Sequence, residues 1–128
     1  MTWILRWLLE DLQRFLNPRA DDLRRLRDGM ARARHRQAHH TRAGGEAAAR
    51  AREVAKRVRV LEMSPDAPVE ALVAARRDLM VAEGDARHHR ARTAHAEEAL
   101  RLMTEDRERM TAGEGARHRE RYAELLNA

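Results

Sequence analysis

Seam positions, most of them small or apolar, recur at alternating three- and four-residue intervals along two long stretches of the chain. In the first they fall at Leu23, Leu26, Met30, Ala33, Gln37, His40, Gly44, Ala47, Ala51, Val54, Val58 and Leu61. In the second they fall at Leu72, Ala75, Leu79, Ala82, Ala86, His89, Thr93, Ala96, Leu100, Met103, Arg107 and Met110. A 3-4 seam sustained over this length predicts two long helices packed as a coiled coil. Between them lies Met63-Ser64-Pro65-Asp66-Ala67-Pro68. Proline lacks an amide hydrogen and pushes the preceding residue out of helical geometry, so this segment is a turn and the two arms run antiparallel. Paired positions then sum to roughly 131, an offset set by the short loop. Ser64 or Asp66 is expected to cap the second arm, with Glu70 in its first turn. Asn17 is expected to cap the first, with Pro18 at the first helical position.

Residues 2–16 follow a different pattern. At 100° per residue Ile4, Leu5, Leu8, Leu9, Leu12, Phe15 and Leu16 share one face, Arg6, Glu10, Gln13 and Arg14 the other, with Trp3 and Trp7 one turn apart beside the main stripe. Such a helix spans about 22 Å, short of a bilayer core of about 30 Å. Arg6 interrupts the apolar run and no small-residue cleavage site follows, so a signal peptide is not expected. After Met110, Thr111-Ala-Gly-Glu-Gly115 is a break, and residues 116–126 are expected to form a short helix that docks through Tyr122, Leu125 and Leu126. The fold class is therefore all-α: an amphipathic N-terminal helix (1–16), a long antiparallel coiled-coil hairpin (17–111), and a break with a short C-terminal helix (112–128).

Composition narrows the function classes. With one Phe, one Tyr and two Trp in 128 residues, large side chains are too few for a conventional globular core. Cysteine is absent, so there is no disulfide framework or thiolate metal site. The expected setting is the cytoplasm, with peripheral attachment to the inner face of a membrane as the alternative. Residues 17–62 carry 13 basic and 6 acidic side chains (+7) and residues 66–111 carry 8 and 10 (−2). That complementarity favours pairing of the arms with each other or with neighbouring copies.

The most specific chemical signal is a belt. No acid lies between Asp28 and Glu46, a span holding Arg32, Arg34, His35, Arg36, His39, His40 and Arg42. None lies between Asp85 and Glu97, a span holding Arg87, His88, His89, Arg90, Arg92 and His95. The antiparallel register places these two stretches at one level of the rod. Arginine forks suit phosphate and carboxylate, so the belt is a candidate anion site for a nucleic-acid backbone, a lipid headgroup or an acidic protein. No stacking aromatics accompany it, and nucleic-acid binding would be indifferent to sequence. A second use is contact with an acidic stretch of a neighbouring copy, Glu97, Glu98, Glu105, Asp106 and Glu108. A third is zinc chelation by His35 with His39, or by His40 with His89. No carboxylate stands beside those imidazoles and the guanidinium charge opposes a divalent cation, so no metal and no cofactor are assigned.

Gly44, Gly45 and Gly84 fall at nearly the same level and mark a hinge, a close contact or a tolerated defect where the seam is already weak. Neither a phosphate-cradling glycine loop nor a nucleophile with a base at a telling spacing is present, and the chain is not expected to be an enzyme. Thr93 fits a polar seam layer that fixes register. The expected function is a non-catalytic assembly protein, a self-associating or accessory subunit whose N-terminal helix docks, back on the hairpin or into an oligomer's core, through Trp3, Ile4, Leu5, Trp7, Leu8, Leu9, Leu12, Phe15 and Leu16. The alternatives are a polyanion binder using the belt and a peripheral membrane protein inserting residues 2–16. A short amphipathic helix followed by a long helical hairpin resembles, in outline over residues 1–111, the membrane-remodelling PspA and ESCRT-III families. The resemblance is one of shape, and what it implies is the membrane alternative.

Overall fold

The computed structural model describes the backbone of residues 2–16 and 18–127, with the side chains of 13–19 outside the description. Four helices are present among the described residues: α1 (Thr2–Leu16), α2 (Pro18–Glu62), α3 (Val69–Thr111) and α4 (Arg119–Asn127). α2 and α3 pack along their lengths as an antiparallel hairpin, and α4 folds onto α3. The Asn17 cap, and the side chains of Phe15 and Leu16, lie outside the described residues.

Local chemistry explains the turn. Pro65 stands at the second position of a β-turn closed by the Ala67 amide donating to the Ser64 carbonyl at 3.2 Å. Pro68 is extended (φ −61°, ψ 139°) and its carbonyl accepts from Ala71 and Leu72, so it begins α3 as a backbone cap without a side-chain bond. This corrects the capping roles expected of Ser64 and Asp66. The Ser64 hydroxyl instead donates back to the Val60 carbonyl at 2.8 Å and closes the end of α2.

The far end of α3 terminates on Gly113, whose φ of 89° is open to glycine without strain. The Glu114 amide donates to the Arg109 carbonyl and the Gly113 amide to that of Met110, the paired bonds of a Schellman stop. The chain then turns back, and α4 begins three residues later than its expected start.

The seam is buried as its periodicity requires, but unevenly. At the open end Leu26, Met30, Ala33, Met103 and Met110 form one cluster, with Leu23, Leu100, Tyr122 and Leu126 packed against it. Near the turn Val54, Val58 and Ala75 form another, flanked by Leu61, Leu72 and Leu79. Between them the layers are Gln37, His40, Gly44 and Ala47 against Ala82, Ala86, His89 and Thr93. These bury little apolar area, at roughly 25 cal/mol per Å². Complementary charge contributes less to pairing than composition suggests. Among the described residues only Arg57–Asp78 (3.9 Å) and Arg76–Glu62 (3.3 Å) bridge the arms, and both are exposed.

One seam position departs from expectation: Arg107 is exposed, and its neighbour Asp106 is completely buried. The cause is α4. It covers a second stripe on α3, Ala99, Leu102 and Asp106, at the i, i+3, i+7 spacing of one helix face, with Leu125 seated on the first two. The Asp106 carboxylate accepts the Arg117 amide at 2.8 Å and the His118 amide at 3.0 Å, capping the entry to α4 with both oxygens.

Candidate functional site

Three features are candidates for function: the belt at the waist of the hairpin, a groove at its open end, and the face of α1.

At the waist α2 and α3 bring four of the belt histidines into one group. The His39–His40 and His88–His89 rings lie 5.0 and 5.3 Å apart on their own helices. Across the hairpin, His40 and His89 rings lie 5.2 Å apart and their Nδ1 atoms 2.9 Å apart. At that distance one Nδ1 donates and the other accepts, so the pair is a hydrogen-bonded seam layer. Two donors on a tetrahedral zinc at about 2.0–2.1 Å would stand roughly 3.3 Å apart. Among the described residues no three metal-ligating side chains are gathered where they could hold an ion. Burial, then the neighbouring His39, His89, Arg92 and His88, hold His40 below the ordinary imidazole value. His35 lies outside this group, and the Nδ1 of half-buried His95 is buried without a hydrogen-bond partner.

The belt arginines divide. Arg36 is drawn away to the Leu126 carbonyl near the C-terminal end of α4. Arg32, Arg34, Arg42, Arg87 and Arg90 are exposed, Arg92 is half-buried, and none of the six is in an ion pair among the described residues. Beside them lies a hollow of about 400 Å³ lined by His40, Gly44, Gly45, Arg90, Thr93 and Glu97, among others. Of the glycines only Gly44 is a close approach, where an added Cβ would meet the His89 Cβ at 3.2 Å; Gly45 faces open space. Thr93 donates to the His89 carbonyl on its own helix, so it does not bond across the seam.

The acids expected to meet a neighbour's belt are mostly engaged at home. Glu98 and Glu105 clamp Arg101, Glu105 also meets His118 at 2.8 Å, and Glu97 accepts from Gln37. Asp106 is buried. Of the five, Glu97 and Glu108 have neither an ion pair nor burial, and among the described residues only the Glu108 side chain lacks a hydrogen bond as well.

The open-end groove was not legible in the sequence, because α4 builds it. It encloses about 460 Å³ between α2 and α4 over a floor of Leu26, Gly29, Met103 and Met110. Arg25, Arg32, Arg36 and Arg119 rim it, with Tyr122, Ala123 and Leu126 on the α4 side. Arg119 pairs with Asp22 at 3.3 Å. Arg25 and Arg32 have no acid partner among the described residues. Burial first, then the charge of Asp106, holds the Tyr122 phenol above its ordinary value, so it is neutral across the working pH range.

α1 leaves its apolar face to solvent: Leu5 is 60% exposed, Leu8 51%, Leu9 58% and Leu12 55%. Trp3 and Trp7 are exposed as well. No helix among the described residues is long and apolar enough to cross a membrane.

No family model, curated protein or solved structure matches the chain.

Proposed function

We propose that this chain is a non-catalytic helical subunit that associates through α1, with the hairpin as its rod. The observation that carries this reading is the uncovered stripe from Ile4 to Leu12 on an otherwise charged molecule. A contiguous apolar face of this kind marks a surface meant to be covered. Four of the six serine and threonine hydroxyls, those of Ser64, Thr93, Thr104 and Thr111, donate to the carbonyl four residues back, which supports a non-catalytic role for those four. None is poised by a histidine or carboxylate as a nucleophile requires. Leu8→Glu with Leu12→Glu should reduce the mass in solution to the 14.8 kDa of one chain while helix content stays nearly constant. A wild-type chain that light scattering finds monomeric at tens of micromolar would refute the reading.

The belt supports a second reading, a polyanion-binding rod. Its carrying observation is the set of six arginines without acid partners among the described residues, flanking the histidine cluster along the middle of the hairpin. Insertion of α1 into a lipid surface has weaker support: Arg6 and Arg14 are balanced by Glu10 and Asp11, leaving little attraction to anionic headgroups.

A further inference from the structure

We infer that the groove between α2 and α4 is the receptor for α1 of a second copy, so that two chains exchange N-terminal helices and close into a dimer. The inference rests on the assembly reading above and names the surface that reading lacks. Four observations converge on it. The lengths are compatible: α1 has 15 residues, about 22 Å, and the α2 side of the groove runs from Asp22 to Arg36, about 21 Å at 1.5 Å per residue, with the nine residues of α4 walling roughly 12 Å of it. The surfaces match: a leucine stripe that lacks a floor meets an apolar floor that lacks a cover. One flank matches in charge: Asp11, beside the leucine stripe, is exposed and in no ion pair among the described residues, and neither Arg25 nor Arg32 on the rim has an acid partner there. The connection is short for folding back onto the same chain. α1 ends at Leu16 and α2 starts at Pro18, whereas an antiparallel helical hairpin needs a loop of 2–5 residues. Helix and groove both sit at the open end of the rod, so a two-fold axis satisfies both copies at once and closes the assembly.

The full-length chain supplies its own probes. Its only tryptophans, Trp3 and Trp7, are on α1, so intrinsic emission reports that helix alone. It has no cysteine, so single introduced thiols report single contacts. The expected result is a mass near twice 14.8 kDa at tens of micromolar, with emission shifting to the blue as the dimer forms. Gly29→Leu in the floor and Ala123→Phe at the lip should each raise the dimer dissociation constant at least tenfold, while the exposed, distant Val81→Glu leaves it unchanged. In case a filling variant misfolds, Leu8→Cys chains mixed with Ala123→Cys chains should form a mixed disulfide under mild oxidation. The same Leu8→Cys chains should link at least tenfold less to Val81→Cys chains. A chain monomeric at every concentration overturns this inference together with the assembly reading. A stable dimer indifferent to both filling variants, with no preferred disulfide, overturns the groove alone. A blue shift at monomer mass places α1 on its own chain, and a blue shift seen only with lipid vesicles places it on a bilayer; either result overturns the exchange.

Discussion

Asp106→Ala is the sharpest test of how the open end is built. The carboxylate is completely buried and accepts two backbone amides, those of Arg117 and His118. Hydrogen bonds to a charged acceptor contribute roughly 1.5–3 kcal/mol each, and part of that offsets the cost of burying the charge. The net loss on truncation is then about 2–4 kcal/mol. It falls on α4, whose nine residues are too few to hold a helix in isolation. The remaining attachments are the contacts of Leu125, Leu126 and Tyr122 and the ion pairs Arg119–Asp22 and His118–Glu105. The variant should therefore release α4 while the hairpin stays intact. Amide hydrogen exchange over residues 117–127 should accelerate roughly 30- to 900-fold, at 1.36 kcal/mol per tenfold. Exchange in residues 47–61 and 69–82 should not change. Asp106→Asn, which keeps one acceptor oxygen, should fall between. An acceleration under fivefold would mean that apolar contact, not the carboxylate, holds α4.

Gly45→Ala should stabilise the hairpin by about 0.5–1 kcal/mol, because its Cβ meets nothing within 4 Å; Gly44→Ala, facing His89 Cβ at 3.2 Å, should give at least about 0.5 kcal/mol less, read from thermal melts. The wild type should lose stability on acidification. His40 is held below its unfolded value, so the unfolded chain binds more protons; the contribution is present above about pH 6.5 and is lost as pH falls through the folded value. Replacing His40 and His89 together by Leu should flatten that dependence and raise the melting temperature at neutral pH, since both partners of one bond are removed; a fall of several degrees would contradict it. Changing Arg34, Arg42, Arg87 and Arg90 to Gln should flatten the salt dependence of binding to duplex DNA, RNA or anionic vesicles with little change in helix content. No binding by the wild type at low salt and pH 5.5 would remove the polyanion reading.

The hairpin was readable because its signals are local and repeated. A 3-4 seam interrupted by Pro65 and Pro68 admits few other folds, and the register it implies places His40 against His89. The unread parts depend on what covers α3 from its second side. Ala99, Leu102 and Asp106 carry no signal of burial until α4 lies over them, and a lone aspartate among acids and arginines reads as solvated surface. The capping of α3 was misjudged for a related reason: two serviceable side chains stood near Pro68, yet the turn spent the Ser64 hydroxyl on α2. The groove was invisible because its walls are more than eighty residues apart in sequence.

The division of the core into two clusters has a kinetic consequence. A contact such as Val58 with Ala75 closes a loop of 17 residues, whereas Leu26 with Met103 closes one of 77. Loop entropy makes the longer closure about 1.3 kcal/mol harder from an open chain. The Ala, Gly and His layers between the clusters repay little of that difference as pairing advances. Folding should start at the proline turn and zip outward, then stall at the waist before the methionine-rich end locks. Truncations at Val54 and Val58 should slow folding, while truncations at Leu26 and Met103 should mainly hasten unfolding. The end that carries the groove is thus the last to form and the first to open.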